Sequence, residues 1–294
     1  MEKYIYQYSK PEYYTYYDLC RNMNDIIYDY NNNTLHVYMD ILLSQIQFLS
    51  NININKISNT NGIVNILYIG SSKAYHFNIL NNLYKNLTNI QWYFYDIIDP
   101  CVSVEGRSYN IIYNRKIFSE DDIKLFKDMY PLILIYDYPD TINTRELLYH
   151  YNMQNNIILY LMPLYALLKF KYIPNDRWNT YIESNEYIST GIKYLPIIKS
   201  LHTRNHVDDK NIITLTFDRN ESNNYYEKMH YYNNCSGYKN IYNDISGYIL
   251  NKSELYDLNT SANKILATYE EEILNNIKYD INFRNQHNRL YNRT

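Results

Sequence analysis

Three short apolar runs, each stopping on a glycine or an aspartate, constrain this chain more than any other feature. They are VNILYIG (64–70), IQWYFYD (90–96) and PLILIYD (131–137). Runs that are apolar at nearly every position read as strands buried on both faces. Helix-like stretches lie between them. Residues 75–88 place Ile79, Leu80, Leu83, Tyr84 and Leu87 at helical spacing, and SEDDIKLFKDMY (119–130) opens with Ser119 and an acidic turn. NNIILYLMP (155–163) and NIITLTFD (211–218) supply an expected fourth and fifth strand. The alternation predicts an α/β fold, a mostly parallel Rossmann-like sheet with helices on both faces. Strands ending on Gly or Asp carry those residues to the carboxyl edge, where such sheets bind ligands.

The rest of the chain fits one domain over residues 1–280. Its first 60 residues form an amphipathic helical extension around MDILLSQIQFLS (39–50), and residues 281–294 form a polar, flexible tail. The 39 tyrosines against 8 phenylalanines, with the Asn and Ile runs, reflect coding drift, so single Tyr and Asn residues carry little weight. The 6 glycines and 7 prolines carry more. A net charge of −3 excludes a global electrostatic footprint for nucleic acid, so an RNA site has to be a local patch helped by stacking. Cys20, Cys101 and Cys235 are scattered without metal-ligand spacing. They fit a reducing compartment, and no metal is expected. The N-terminus has no signal or transit pattern, and no apolar run approaches the roughly 18–20 residues that cross a bilayer. The expectation is a soluble intracellular protein with no membrane partner.

The turn after the first strand reads Gly70-Ser71-Ser72-Lys73-Ala74, without the second glycine usual in a cofactor loop. Asp96 closes the next strand, where an acid binds the ribose hydroxyls of NAD or S-adenosylmethionine. Together these features favour an adenosyl-cofactor site built from Gly70, Ser71, Ser72 and Asp96. Its quality is poor. Ala74 cannot adopt a positive φ cheaply, and Lys73 suits a phosphate better than a sulfonium.

Several segments, taken in order, carry a resemblance: LYIGS (67–71), His76, QWYFYD ending at Asp96, ILIYD ending at Asp137, LLKFKYIPNDRW (167–178) and YYEKMHYYN (225–233). Over about residues 35–235 the chain resembles the poxvirus cap-specific mRNA nucleoside-2′-O-methyltransferases, which are also the small stimulatory subunit of the viral poly(A) polymerase. The resemblance implies a class I methyltransferase fold and S-adenosylmethionine as cofactor, with Asp137 joining Gly70, Ser71, Ser72 and Asp96 in holding it. It implies mRNA as partner, through its 5′ cap and single-stranded 3′ end, and a heterodimer with the poly(A) polymerase catalytic subunit. The setting it implies is the virion and the cytoplasm of an infected cell.

The family activates the ribose 2′-OH with a Lys-Asp-Lys-Glu tetrad, since a sugar hydroxyl is a weak nucleophile and needs a lysine of lowered pKa beside carboxylates. By resemblance the aspartate falls on Asp137 and the second lysine on Lys169. The first lysine position holds Asp40 and the glutamate position holds His202. Losing one acid–base participant costs about 10²–10⁴-fold in rate, so 2′-O-methylation is expected to be weak or absent. An Asp at position 40 would raise the Lys169 pKa if the two lay close. For the cap pocket the resemblance implies Asp176 and Glu227 as carboxylates and Tyr172 as a stacking aromatic, with a second aromatic from the N-terminal segment, Tyr28 being a candidate. A basic strip for RNA would draw on Lys169, Lys171, Arg177, Lys193 and Lys199. Two other functions share the fold. One is an active cap 2′-O-methyltransferase with His202 or Asp40 as rearranged base; the other is a small-molecule methyltransferase or dinucleotide enzyme.

Overall fold

The computed structural model describes residues 34–84, 89–105, 110–139, 143–174, 177–189, 192–194, 202–210, 212–231 and 262–291. Two helices come first, α1 (Thr34–Asn51) and α2 (Ile54–Asn61). Then follow β1 (Val64–Ile69), α3 (Phe77–Leu83), β2 (Ile90–Tyr95), α4 (Val102–Glu105), β3 (Ile111–Asn114), α5 (Glu120–Ile123) and β4 (Leu132–Tyr136). The long α6 (Thr144–Leu161) leads into β5 (Tyr165–Phe170), α7 (Thr180–Glu183), β6 (Glu186–Ser189), β7 (Ile192–Tyr194) and β8 (Thr203–Asp208). The order ends with β9 (Ile213–Thr216), α8 (Arg219–Tyr231) and α9 (Ala262–Tyr291).

The main sheet runs β3-β2-β1-β4-β5-β8-β7. Strands β1 to β5 are mutually parallel, β8 is antiparallel to β5, and β7 is antiparallel to β8. The order reverses between β1 and β4, which makes their carboxyl ends the switch point of the sheet. Both strands are apolar because both faces are covered. Ile66, Leu67, Ile133 and Leu134 are all buried.

The three leading strands stand where the sequence placed them, but NNIILYLMP does not form one. It is the second half of α6, whose N-cap is Asn143 accepting from the Arg145 N–H at 3.0 Å. Buried Leu147, Leu148, Tyr151, Gln154, Ile157 and Ile158 recur at helical period across the whole element, a register that the window 155–163 was too short to reveal. The strand that follows β4 is YALLKF, one segment later. NIITLTFD does contain a strand, but β9 pairs with β6 in a separate two-stranded antiparallel sheet. Ser119 begins α5 with an acidic first turn, as expected, and its N–H and hydroxyl both donate to Asp122 Oδ2. That helix lasts one turn before a 3₁₀ turn at Lys124–Phe126.

Two expectations at the termini change. Helix α1 is not amphipathic, because every residue from Tyr38 to Leu49 is buried. Its polar residues are therefore wired internally, as when Gln45 Nε2 donates to the Tyr68 hydroxyl at 2.9 Å and its Oε1 meets His76 Nε2 at 3.2 Å. At the other end, α9 continues through Tyr291, so residues 281–291 are helical.

Burial of histidines gives the fold a pH dependence. His76 and His206 are buried, and desolvation drives their pKa values down to about 3 and about 4. An unfolded histidine takes up its proton near pH 6.5, so below that pH the unfolded state binds protons that the native state refuses. Stability from these residues is complete above about pH 6.5 and falls as pH drops toward 4. The slope is about 1.4 kcal/mol per pH unit for each, or about 2 kcal/mol apiece by pH 5. Urea midpoints from pH 7 to pH 5 should fall steeply, and His206→Phe should flatten the slope. An unchanged slope in that variant would show that His206 titrates normally in the fold.

Candidate functional site

The site is built where β1 and β4 end side by side. The Asp137 N–H donates to the Ile69 carbonyl at 2.9 Å and the Gly70 N–H to the Tyr95 carbonyl at 2.9 Å, so the turn is pinned to both neighbouring strands. Gly70 has φ +81°, and a Cβ there would stand 1.9 Å from the Asp137 carbonyl oxygen. Only glycine lets the backbones approach so closely. The turn then passes through two further left-handed residues, Ser72 (φ +49°) and Ala74 (φ +50°). For residues with a Cβ this conformation costs about 1–2 kcal/mol each, so Ala74 adopts the geometry expected to be expensive for it.

Hydrogen bonds within the chain hold the turn. The Ser72 N–H donates to Asp96 Oδ2 at 2.7 Å and the Ile98 N–H donates to Asp96 Oδ1 at 2.8 Å. The Lys73 N–H donates to the Tyr38 hydroxyl, which in turn donates to Ser72 Oγ, both at 3.1 Å. Burial pushes the Tyr38 pKa up to about 12, so the phenol stays neutral and able to donate. Lys73 Nζ lies 3.8 Å from Asp280 of α9. Gly70, Ser71, Ser72, Asp96 and Asp137 thus come together at one edge, as expected. Each oxygen of Asp96 accepts one backbone N–H, and the Ser72 and Lys73 N–H groups are bonded within the chain. Ser71 Oγ is left over, buried and without a hydrogen-bond partner among the described residues.

Beside the turn lies a buried cluster of charges. Lys169 on β5 faces Arg204 on β8 across the antiparallel ladder. Arg204 donates from one arm to Asp40 Oδ2 at 2.8 Å and from the other to Asp137 Oδ2 at 3.0 Å. Lys169 Nζ lies 3.4 Å from Asp137 Oδ1, donates to the Tyr138 carbonyl at 2.9 Å and sits 5.4 Å from the Tyr138 ring centre. Burial weakens the hold of Arg204 on its proton, but Asp137 and Asp40 outweigh burial, and its pKa is raised. His202 is buried two residues before Arg204 and packs edge-on to the Tyr138 ring at 6.3 Å. The structure therefore brings Asp40, Asp137, Lys169 and His202 into one region, with Asp40 bonded to a guanidinium. Arg204 was missed by sequence reasoning. Its signal was its place in HTRNHVD, two residues past the position searched for an acid.

The cap residues fare differently. Tyr172 is 3 % exposed, its hydroxyl bonds that of Tyr187 at 2.5 Å, and Phe170, Phe217 and Tyr225 pack round its ring. It is a core residue and cannot receive a base on its face. Asp176 and Tyr28 lie outside the described residues, and Glu227 lies on α8 with its side chain outside them. The basic strip also dissolves in part. Lys169 and Lys171 are buried and Arg177 is exposed, while Lys199 and the Lys193 side chain lie outside the described residues. Among the described residues no group of His, Cys, Asp or Glu is arranged to hold a metal ion, and no helix is long and apolar enough to cross a membrane.

The sheet order, the switch-point site and the acid at the end of β2 define a class I methyltransferase fold. The chain belongs to the poly(A) polymerase regulatory subunits: the model of that family, described as "Poly A polymerase regulatory subunit", matches residues 7–292. Membership implies a catalytic poly(A) polymerase subunit as partner. No curated protein matches the chain. Among solved structures, bluetongue virus VP4, described as a multifunctional RNA-capping production line, aligns with 14 % identity and a TM-score of 0.49. The alignment covers 69 % of this chain and 33 % of VP4, so the chain spans about a third of that protein's length.

Proposed function

We propose that this chain serves its polymerase as a scaffold and RNA-holding subunit, and that the methyltransferase site it is built on no longer transfers methyl groups. The observation that carries this reading is the state of Asp137 and Lys169. The carboxylate lies between Arg204 and Lys169, and the ammonium is bound to the Tyr138 carbonyl beneath the surface. A general base must reach the hydroxyl it deprotonates to within hydrogen-bonding distance, and a lysine about 5 % exposed with its proton bonded to a carbonyl is poorly presented for that task. Lys73, paired with Asp280 beside the turn, supports the same reading, since a cation there suits a sulfonium ligand poorly.

The test is reconstitution with the catalytic polymerase subunit on a short oligo(A) primer. Lys169→Met keeps the side-chain length and removes the charge. It is expected to leave tail lengthening unchanged, at a stability cost of about 1–3 kcal/mol from altering one partner of Asp137. Loss of lengthening in a folded, partner-bound variant would tie Lys169 to the RNA path. Methyl transfer from S-adenosylmethionine to capped RNA by the wild-type chain, lost in Lys169→Met, would establish the active-methyltransferase reading instead.

A further inference from the structure

The C-terminal helix is tied to the glycine turn through one buried carboxylate. Tyr269, Ile273, Asn276 and Asp280 recur at the spacing of one helix face, and the first two are core residues. Asp280 is 2 % exposed, and groups from distant parts of the chain converge on it. Tyr75 donates its hydroxyl to Oδ2 at 3.2 Å, the Val102 N–H donates to Oδ1 at 3.2 Å, and Lys73 Nζ stands 3.8 Å from Oδ2. Arg284, one turn further along α9, gives its Nε–H to the same carboxylate at 3.0 Å and another N–H to the Pro100 carbonyl at 3.1 Å. Asn276 donates to the Tyr75 carbonyl at 3.0 Å. The Cys101 N–H closes the ring by donating to the Lys73 carbonyl at 2.8 Å.

A buried carboxylate persists when cations and neutral donors surround it, and Asp280 has both. What it holds is the strained part of the site. Ser72 and Ala74 flank Lys73 with positive φ, and such backbone survives only where its surroundings over-determine it. Tyr38 secures the turn from one side, and Asp280 secures it from the other.

We propose that α9 is a latch on the Gly70–Ala74 turn, with Asp280 as its bolt. While Asp280 grips Lys73, Tyr75 and the Val102 N–H, the turn stays in its closed, left-handed form. When the helix lifts, the turn is released. The carboxyl edge of the sheet is thus conditional on the far end of the chain, and whatever moves α9 moves the turn. The inference concerns the conformation of the turn and does not depend on whether methyl transfer survives.

Hydrogen exchange on the full chain tests it, comparing wild type, Asp280→Asn and Lys73→Met. Asp280→Asn is expected to speed exchange at least about tenfold in residues 70–76 and 98–104 while leaving 132–136 and 165–170 unchanged, as local opening does. Coupling is reciprocal, so Lys73→Met, which alters only the turn side, should speed exchange in 276–284. Faster exchange confined to α9 in Asp280→Asn, with the turn unaffected, overturns the latch. So does the same acceleration in every segment, which would make Asp280 a residue of global stability. If Asp280→Asn fails to fold, Lys73→Met decides alone: a change in 276–284 supports the latch and its absence refutes it.

Discussion

Arg204→Met is expected to lower the unfolding free energy by about 3–5 kcal/mol, because it removes the cation that bridges Asp40 and Asp137 in a buried charge network, while Lys169 stays beside Asp137. Arg204 is 3 % exposed, and its two arms reach carboxylates 2.8 Å and 3.0 Å away that come from two separate elements, α1 and the end of β4. Methionine fills much of the volume and supplies no donor. The loss should be visible as a lower urea midpoint at unchanged m. Asp40→Asn alone should cost less, since Asp137 still faces the guanidinium. Adding Asp40→Asn to Arg204→Met should restore part of the loss, because one of the stranded charges disappears. That non-additivity is the signature of a direct pair. A loss below about 1 kcal/mol in Arg204→Met would place the cluster in the class of solvent-screened surface pairs. It would also undercut the reading of Asp137 as locked away from chemistry.

The cluster marks how far the sequence could be read. Gly70, Asp96 and Asp137 were legible because each ends a short apolar run, and such a run, read as a strand, carries its last residue to the rim of the sheet. Helix α6 was misassigned in part because the apolar stretch ILYLM satisfies a strand as well as a buried helix, and only the longer register starting at Asn143 separates them. The identity of the charge partner was not legible at all. Asp40, Asp137 and Arg204 are far apart in the chain, and nothing local says that an arginine in β8 will lie between two acids. Discounting the tyrosines as drift hid a second layer. The hydroxyls of Tyr38, Tyr75 and Tyr151 are bonded to the turn, to α9 and to the Lys171 backbone. Composition cannot separate a drifted tyrosine from a wired one. Burial can, since a phenol taken out of water needs a partner. The same reasoning removes Tyr172 from the cap pocket: its hydroxyl has a partner and its ring has neighbours, which is the environment of a core residue.

Gly70→Ala is expected to be the most damaging single substitution at the site, costing more than about 4 kcal/mol or preventing folding outright, because two named mechanisms act together. One is conformational: φ of +81° is unfavourable for any residue with a Cβ. The other is steric and larger. The new Cβ would lie 1.9 Å from the Asp137 carbonyl oxygen, and neither backbone has room to yield, since hydrogen bonds of 2.9 Å pin Gly70 to β2 and Asp137 to β1. Any relief must push Asp137 outward, which would also draw its carboxylate off Arg204 and Lys169. Gly62→Ala separates the two mechanisms. Gly62 has φ +77°, but among the described residues nothing lies within 4 Å of the point a Cβ would occupy, so its alanine variant should show strain alone, about 1–3 kcal/mol. Denaturation of the two variants side by side measures the steric share directly. Equal losses would mean that the β1–β4 junction opens to admit a methyl group, and the close approach that defines this carboxyl edge would then be a preference of the fold and not a constraint on it.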